Sequence, residues 1–317
     1  MAALDTVVHA MLTRSRKKLM LASALSNSVY AYMFASKRVI TEDGGPEITN
    51  PLIVGRNPNV QSMQYYDEVS VAQTDEFDTV TYNMSRVVGT VIISDQEQEE
   101  NKGTAVIFKI LEGKIKALDE SIKEKFSDYL NSTGSGTDPN GLPNLIPDDP
   151  TTGSIGGISL ASESQWRPSV YDFSGNLDSN NIEEAFDDIL LDLTRGNEKP
   201  DCIFAGRDIY RLHRTAARDK QQISLGASGT GKNLVNLGIV GTTHQGTPLI
   251  FDEKIDPDTV YFINHKYLSL HILSGVNMKV KKLVAPWNVD AVGRRVVWEG
   301  QLCSWRMHRT HGKALNA

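Results

Sequence analysis

Residues 101–130, NKGTAVIFKILEGKIKALDESIKEKFSDYL, decide how this chain is read. Ile107, Leu111, Ile115, Leu118, Ile122, Phe126 and Tyr129 recur every three or four residues, and Lys109, Glu112, Lys114, Lys116, Glu120 and Lys123 fill the gaps. A helix turns once every 3.6 residues, so the apolar set forms one stripe and the charges fall outside it. The pattern predicts a single helix about 40 Å long at 1.5 Å per residue. The usual globular helix has only about 11–12 residues. Gly103 and Gly113 weaken it locally. Such a helix serves either as a core element or as a spine that carries load across an extended subunit.

On its N-terminal side the period changes. Val69 and Val71 alternate with polar neighbours, as do Val80, Tyr82 and Met84, and residues 87–93 form a longer β-rich run. The polar stretch 74–78 lies between them. This is the pattern of a long two-stranded hairpin within residues 47–93. Alone in water such a hairpin is marginal, because neither face is covered. It must lie on the rest of the chain or on a neighbouring chain. Residues 1–46 read as an arm: Arg14, Arg16, Lys17 and Lys18 form a basic cluster, a helix-like stretch covers 19–34, and Gly44-Gly45-Pro46 breaks it. The ordinary reading of the cluster is a solvated helix start. The functional one is a phosphate-facing arm.

On the C-terminal side, residues 131–168 are rich in Gly, Pro, Ser and Asp and read as a connector with sparse apolar residues, among them Leu142, Leu145, Ile146, Ile155 and Ile158. Residues 178–285 read as an α/β unit. An amphipathic helix starts near Ile182, capped by Asn180 or Asn181 and stopped by Gly196 and Pro200. A buried strand covers 201–205, a second helix 207–218, and further strands 248–251, 260–263 and 276–283. The tail holds a strand-like segment at 294–298, then Arg306, His308, Arg309, His311 and Lys313. The fold class is therefore α+β.

Composition narrows the function. The 317 residues are 40% hydrophobic and 23% charged, which is globular composition. The balance of 33 Lys+Arg against 39 Asp+Glu, a net −6, is not that of a protein gripping nucleic acid tightly by charge. Cys202 and Cys303 cannot build a disulfide framework or a multi-cysteine zinc site and read as buried free thiols. No apolar run reaches the roughly 18–20 residues needed to span a bilayer, and no signal-peptide layout opens the chain. A soluble chain made in the cytosol is expected. His308 and His311 are three apart but lack further ligands nearby, and His265 and His271 read as surface or packing residues. The acid pairs Asp148-Asp149 and Asp187-Asp188 are explained by solvation. Residues 226–232 fit the phosphate-cradling pattern Gly-x-x-x-x-Gly-Lys, yet Asn233 stands where a Mg²⁺-ligating hydroxyl belongs and no strand–loop–helix context surrounds it. No catalytic residue, metal site or cofactor is expected.

The order of segments resembles the major capsid proteins of tailed bacteriophages, which share the Hong Kong 97-like fold. Gly44-Gly45 and Thr49-Asn50-Pro51-Leu52 look like the lead into that family's extended hairpin, the E-loop. Ile92-Ile93-Ser94 with Glu97 and Asn101 look like the approach to its spine helix. Gly141-Leu142 to Ile146, Gly156-Gly157-Ile158 and Trp166-Arg167-Pro168 are similar to the stretch after it, and Glu299-Gly300-Gln301-Leu302 with the basic tail to the closing segment. The resemblance implies an N-terminal arm (1–46), an E-loop (47–93), a peripheral domain (94–177), an α/β axial domain (178–285) and a return to the peripheral domain with a basic tail (286–317). It implies hexamers and pentamers of an icosahedral shell around double-stranded DNA, a virion location and assembly in the bacterial cytoplasm. A portal and a separate scaffolding protein are implied partners, since only about 45 residues precede the hairpin. Arg14, Arg16, Lys17 and Lys18 become the DNA-facing residues, and no membrane is involved. A same-fold encapsulin-type nanocompartment and a P-loop ATPase are the alternatives.

Overall fold

In the computed structural model, the described residues are 27–53, 57, 59–65, 67–69, 71, 77–94, 96, 104–134, 136–219, 242–282, 291–305 and 311–316. In chain order the elements are α1 (Ser28–Ala35), β1 (Val39–Glu42), β2 (Glu47–Ile53), β3 (Phe77–Asn83), β4 (Ser85–Ser94), α2 (Thr104–Leu130), α3 (Leu142–Leu145), β5 (Ser154–Ile155), β6 (Ile158–Ser159), β7 (Ser169–Asp172), α4 (Ile182–Leu193), β8 (Cys202–Ala205), α5 (Arg207–Asp219), β9 (Thr242–His244), β10 (Thr247–Phe251), β11 (Thr259–Ile263), β12 (Leu268–Leu273), β13 (Lys279–Lys282), β14 (Ala291–Ser304) and β15 (Gly312–Leu315).

The apolar stripe becomes α2, and Ile115, Ile122 and Phe126 are buried where the period places them; at its end Tyr129 is half-buried and the neighbouring Leu130 is buried instead. They pack on a sheet of β1, β12, β14 and β13, to which β4 adds along β14. A Cβ on Gly89 would lie 2.7 Å from the Leu118 side chain, so the Gly89 face of β4 meets α2. The ring of Phe126 stands edge-on to Trp298 of β14, with centroids 4.7 Å apart.

A second, six-stranded sheet has the order β7-β15-β11-β8-β10-β9. One face, with Ile203, Leu249, Val260 and Phe262, packs with Phe186, Ile189 and Leu193 of α4. The other face belongs to the main core. Helix α1 ties the layers together. Its Tyr32 ring meets Phe204 at 5.8 Å and its Tyr30 ring meets Phe126 at 6.1 Å. The Asn27 carboxamide caps it, accepting from the N–H groups of Val29 and Tyr30 and donating to Ser127 of α2.

Six expectations change. The hairpin forms from β2 and β3, with Glu47 opposite Asn83 and Ile53 opposite Phe77, whereas Val69 and Val71 lie in no strand. The run 87–93 leaves the hairpin and pairs antiparallel with β14, Ser85 opposite Gly300. One face of β4 thereby gains cover from α2, which a free hairpin cannot offer.

Residues 27–42, expected within the arm, belong to the core: α1 is buried and β1 pairs parallel with β12. The connector 131–168 carries no long element, yet it buries Leu142, Leu145, Ile146, Ile155, Ile158 and Trp166. Sheet membership also cuts across the expected 178–285 unit. Strands β12 and β13 join the five-stranded sheet, and β15 of the tail joins β7 and β11 in the six-stranded one. Finally, Asn181 makes no side-chain bond to α4. Asp178 instead accepts from the Asn180 and Asn181 N–H groups.

Candidate assembly surface

The ladder of β2 and β3 has seven residue pairs, a limb of about 20 Å. Its root is anchored. Val80 and Tyr82 are buried, the Tyr82 hydroxyl donates to the Ser304 carbonyl at 2.8 Å, and the Tyr82 ring stands edge-on to Trp305. The Gln301 carboxamide donates to the Asn83 carbonyl and accepts from the Asn140 N–H, locking the limb to the connector. Gly156 has a φ of +60°, and a Cβ there would sit 2.4 Å from Val80 Cγ1, so the connector approaches the limb only because this residue is glycine. The Thr81 N–H donates to its carbonyl. A cleft of about 690 Å³ opens at this root, lined largely by polar groups such as Asn83, Asp138 and Asn144.

Beyond the root the described apolar residues of the limb are largely without cover. Ile53, Val60, Met63, Val69 and Val71 are exposed, Phe77 is 67% exposed and Tyr65 fully so. Single exposed apolar residues are ordinary, but a group confined to one projecting limb marks a contact surface.

A second exposed group lies on the face of the five-stranded sheet that points away from α2. Register puts Thr90 and Lys281 opposite Arg295, and Val88 and Lys279 opposite Val297. Val88 and Ile92 of this face are 46% and 47% exposed. The sequence reading missed this surface. The segments Lys279–Lys282 and 294–295 are visibly basic, but their alignment on one face with β4 needs the strand pairing.

The remaining predicted residues divide clearly. Arg14, Arg16, Lys17 and Lys18, the loop 226–232 and His308 lie outside the described residues. Cys202 and Cys303 are free and buried, and burial pushes both thiols up. His271 is buried between Glu42 and Ser269, with its Nδ1 2.7 Å from the carboxylate. Asp187 does more than face solvent: it accepts from His244 Nε2 at 2.7 Å, and His244 Nδ1 lies 3.2 Å from His213 Nε2. Lys313 is buried with its ammonium over the Tyr261 ring and pairs with Asp148. Among the described residues no cluster of His, Cys, Asp and Glu could hold a metal, and no helix is long and apolar enough to cross a membrane.

Buried imidazoles make the fold acid-sensitive. Burial lowers His311 to about 3, and both its ring nitrogens lack partners. Burial, then the charge of His244, lowers His213 to about 4. A depressed histidine stabilises the folded state above its unfolded value of 6.5, and that contribution fades as pH falls toward the folded value. At pH 5 the loss from His311 alone is about 2 kcal/mol relative to pH 7. In His311→Phe, urea melts at pH 7 and pH 5 are therefore expected to differ by about 2 kcal/mol less than in the unaltered chain. An unchanged difference would remove His311 from the acid response. Asp119 of α2, raised to about 6 mainly by burial, acts in the opposite sense and favours the fold below that pH.

No family model and no curated protein matches the sequence. Solved structures do match. The capsid asymmetric unit of cyanophage A-1(L) is 13% identical, with 94% of this chain and 92% of that chain covered and a TM-score of 0.66. The encapsulin of the holo-SrpI complex from Synechococcus elongatus PCC 7942 is 10% identical over 90% and 87% of the two chains, at 0.56. The capsid of a native GTA particle is 10% identical over 90% of each chain, at 0.55. The chain therefore has the Hong Kong 97-like fold, shared along nearly its whole length with these shell subunits.

Proposed function

We propose that this chain is the major capsid protein of a tailed bacteriophage, a structural subunit whose copies form the hexamers and pentamers of an icosahedral shell around double-stranded DNA. The observation that carries the reading is the limb. Its root is fastened to the core, while among the described residues its outer part exposes seven large apolar side chains that the rest of the chain leaves uncovered. A neighbouring subunit is the natural cover. In a closed shell each such contact need only be weak, because many act together. In this reading the five-stranded sheet and α2 make the peripheral domain, and the α4–α5 unit with the six-stranded sheet meets its copies around the local axis. Arg14, Arg16, Lys17 and Lys18 face the packaged DNA. A separate scaffolding protein and a portal complete the assembly, which takes place in the host cytoplasm. The net charge of −6 suits a container that must release its genome.

A nanocompartment that packages an enzyme is the second reading, favoured by the likeness to the encapsulin at a TM-score of 0.56. Electron microscopy of the purified chain with its co-expressed neighbouring gene products tests both. Closed shells holding DNA support the capsid, shells holding a protein cargo support the nanocompartment, and a strictly monomeric sample overturns the shell altogether.

A further inference from the structure

Away from the limb and the open sheet face, α4, α5 and β9 meet over a buried pair of histidines. His213 of α5 is 2% exposed and His244 of β9 is 7% exposed. His213 Nε2 lies 3.2 Å from His244 Nδ1. His244 Nε2 lies 2.7 Å from the Asp187 carboxylate of α4, which also accepts from the Gln245 carboxamide at 2.6 Å. The Phe186 ring stacks on His213 at 5.4 Å and stands edge-on to His244 at 5.5 Å, so one side of the pair is walled by carbon. His213 Nδ1 is buried and has no partner among the described residues. The charged groups facing the pair are Asp187 and Glu183, both on α4 and one turn apart. The turns of α5 beside His213 present Ile209, Tyr210, Ala216 and Ala217, while Arg211 and Arg214 are exposed. Strand β10, the neighbour of β9, has no titratable side chain.

The pair has room for two ring protons and not for three. Asp187 requires a hydrogen on His244 Nε2, which leaves Nδ1 of that neutral ring as an acceptor. His213 then donates from Nε2, and its Nδ1 carries only a lone pair. Both rings are thus neutral Nε2–H tautomers, and each buried N–H has an acceptor. An added proton has two places to go. On His213 it sits on Nδ1. On His244 it sits on Nδ1, and His213 must become the acceptor at Nε2, which moves its own hydrogen to Nδ1. Either way a buried N–H points at no acceptor, and an unscreened charge adds to that cost. Burial, then the charge of His244, accordingly lowers His213 to about 4.

Relief from that cost is available without unfolding the chain. Strand β9 is the edge of the six-stranded sheet and is joined to β10 by three residue pairs. Among the described residues of α5, only Ile209 and Ala216 are fully buried members of the second core. Displacing either element lets water reach His213 Nδ1. We propose that the His213–His244 pair is a proton sensor: in mild acid it releases α5 and β9 from Asp187 and Phe186 of α4 while both sheets otherwise stay formed. The inference concerns the single chain and holds whether or not its copies form a shell. A histidine lowered by burial favours the closed form above its free value of 6.5, and that preference fades as pH falls toward the closed value.

The test is site-resolved hydrogen exchange at pH 7 and pH 5, expressed as protection factors and measured with and without about 1 M urea. With His213 at about 4 closed and 6.5 open, opening becomes about twentyfold more frequent at pH 5. Protection in α5 and β9 is expected to fall by about that factor and to respond little to urea, because a local opening exposes little surface. Amides of α2 and β14 are expected to stay better protected at pH 5 and to keep a strong urea response. If α5 and β9 instead exchange together with α2 and β14, at the same protection and the same urea response, the pair is packing alone and the proposal is overturned. His213→Gln keeps an N–H for His244 but does not titrate. In it the fall in α5 and β9 is expected to shrink to less than about threefold, and an unchanged fall overturns the sensor. Should a urea melt at pH 7 show that this variant does not fold, nitrogen NMR of the unaltered chain labelled at histidine decides. Both rings are expected as Nε2–H tautomers at pH 7, and a His213 ring carrying its hydrogen on Nδ1, or titrating near 6.5, overturns the proposal.

Discussion

Replacing residues 54–76 with a short Asn-Gly turn is expected to leave a folded protein that no longer assembles. The replacement joins Ile53 to Phe77, which already face each other across the ladder, and Asn-Gly suits a tight hairpin. Among the described residues of the removed part, none belongs to either hydrophobic core. Stability toward urea should therefore change by less than about 1 kcal/mol. The removed part does carry Val60, Met63, Tyr65, Val69 and Val71, most of the exposed apolar surface of the limb. If the chain forms the proposed shells, loss of every inter-subunit limb contact at once removes the multivalent gain, so sedimentation should show monomers or single rings at concentrations where the unaltered chain closes shells. Shells of ordinary size from the shortened chain would mean that the limb is dispensable and that assembly relies on other surfaces.

The second large effect is on the fold itself. Phe126→Ala is expected to cost about 4 kcal/mol. Phe126 is 5% exposed, stands edge-on to Trp298 of the five-stranded sheet and touches the ring of Tyr30 in α1. Its removal opens a cavity where helix, sheet and the N-terminal helix converge. The total stability of a domain is about 5–15 kcal/mol, so the loss should be visible as a large drop in the urea midpoint. Phe126→Leu, which keeps most of the volume, should lose less than half as much. A loss below about 1 kcal/mol in the alanine variant would show that α2 is held on the sheet by other contacts.

Much of the fold was legible along the chain, because its signals are local. The helix α2, the helices α4 and α5, and the strands β8, β10 and β11 each announce themselves by period, cap or β-branched run within a dozen or so residues. The choice between partners for a strand is not local. Residues 87–93 look the same whether they close a hairpin or cross to β14, and only the cover that α2 gives to Gly89, Val91 and Ile93 decides between them. Apolar residues scattered among Gly and Pro at 141–166 carry no period, so their burial could not be read. For the candidate surface, the lack of shelter on the limb was legible, although Val69 and Val71, read as strand residues, lie in no strand. The open basic face of the five-stranded sheet was not, because Lys279, Lys281 and Arg295 meet Val88 and Ile92 only after three strands distant in sequence have paired.

By itself, then, the sequence determined the spine, its apolar stripe, two of the helices, and the fact that a projecting hairpin would lack cover of its own. The tertiary structure alone decided which strands form that hairpin, that the tail ends in the six-stranded sheet, and which face of the other sheet stays open. The physical reason is the reach of each signal. Helical and strand periods are set by neighbours along the backbone, whereas strand partnership is set by competition for burial among segments as far apart as Ser85 and Gly300, which face each other across the sheet.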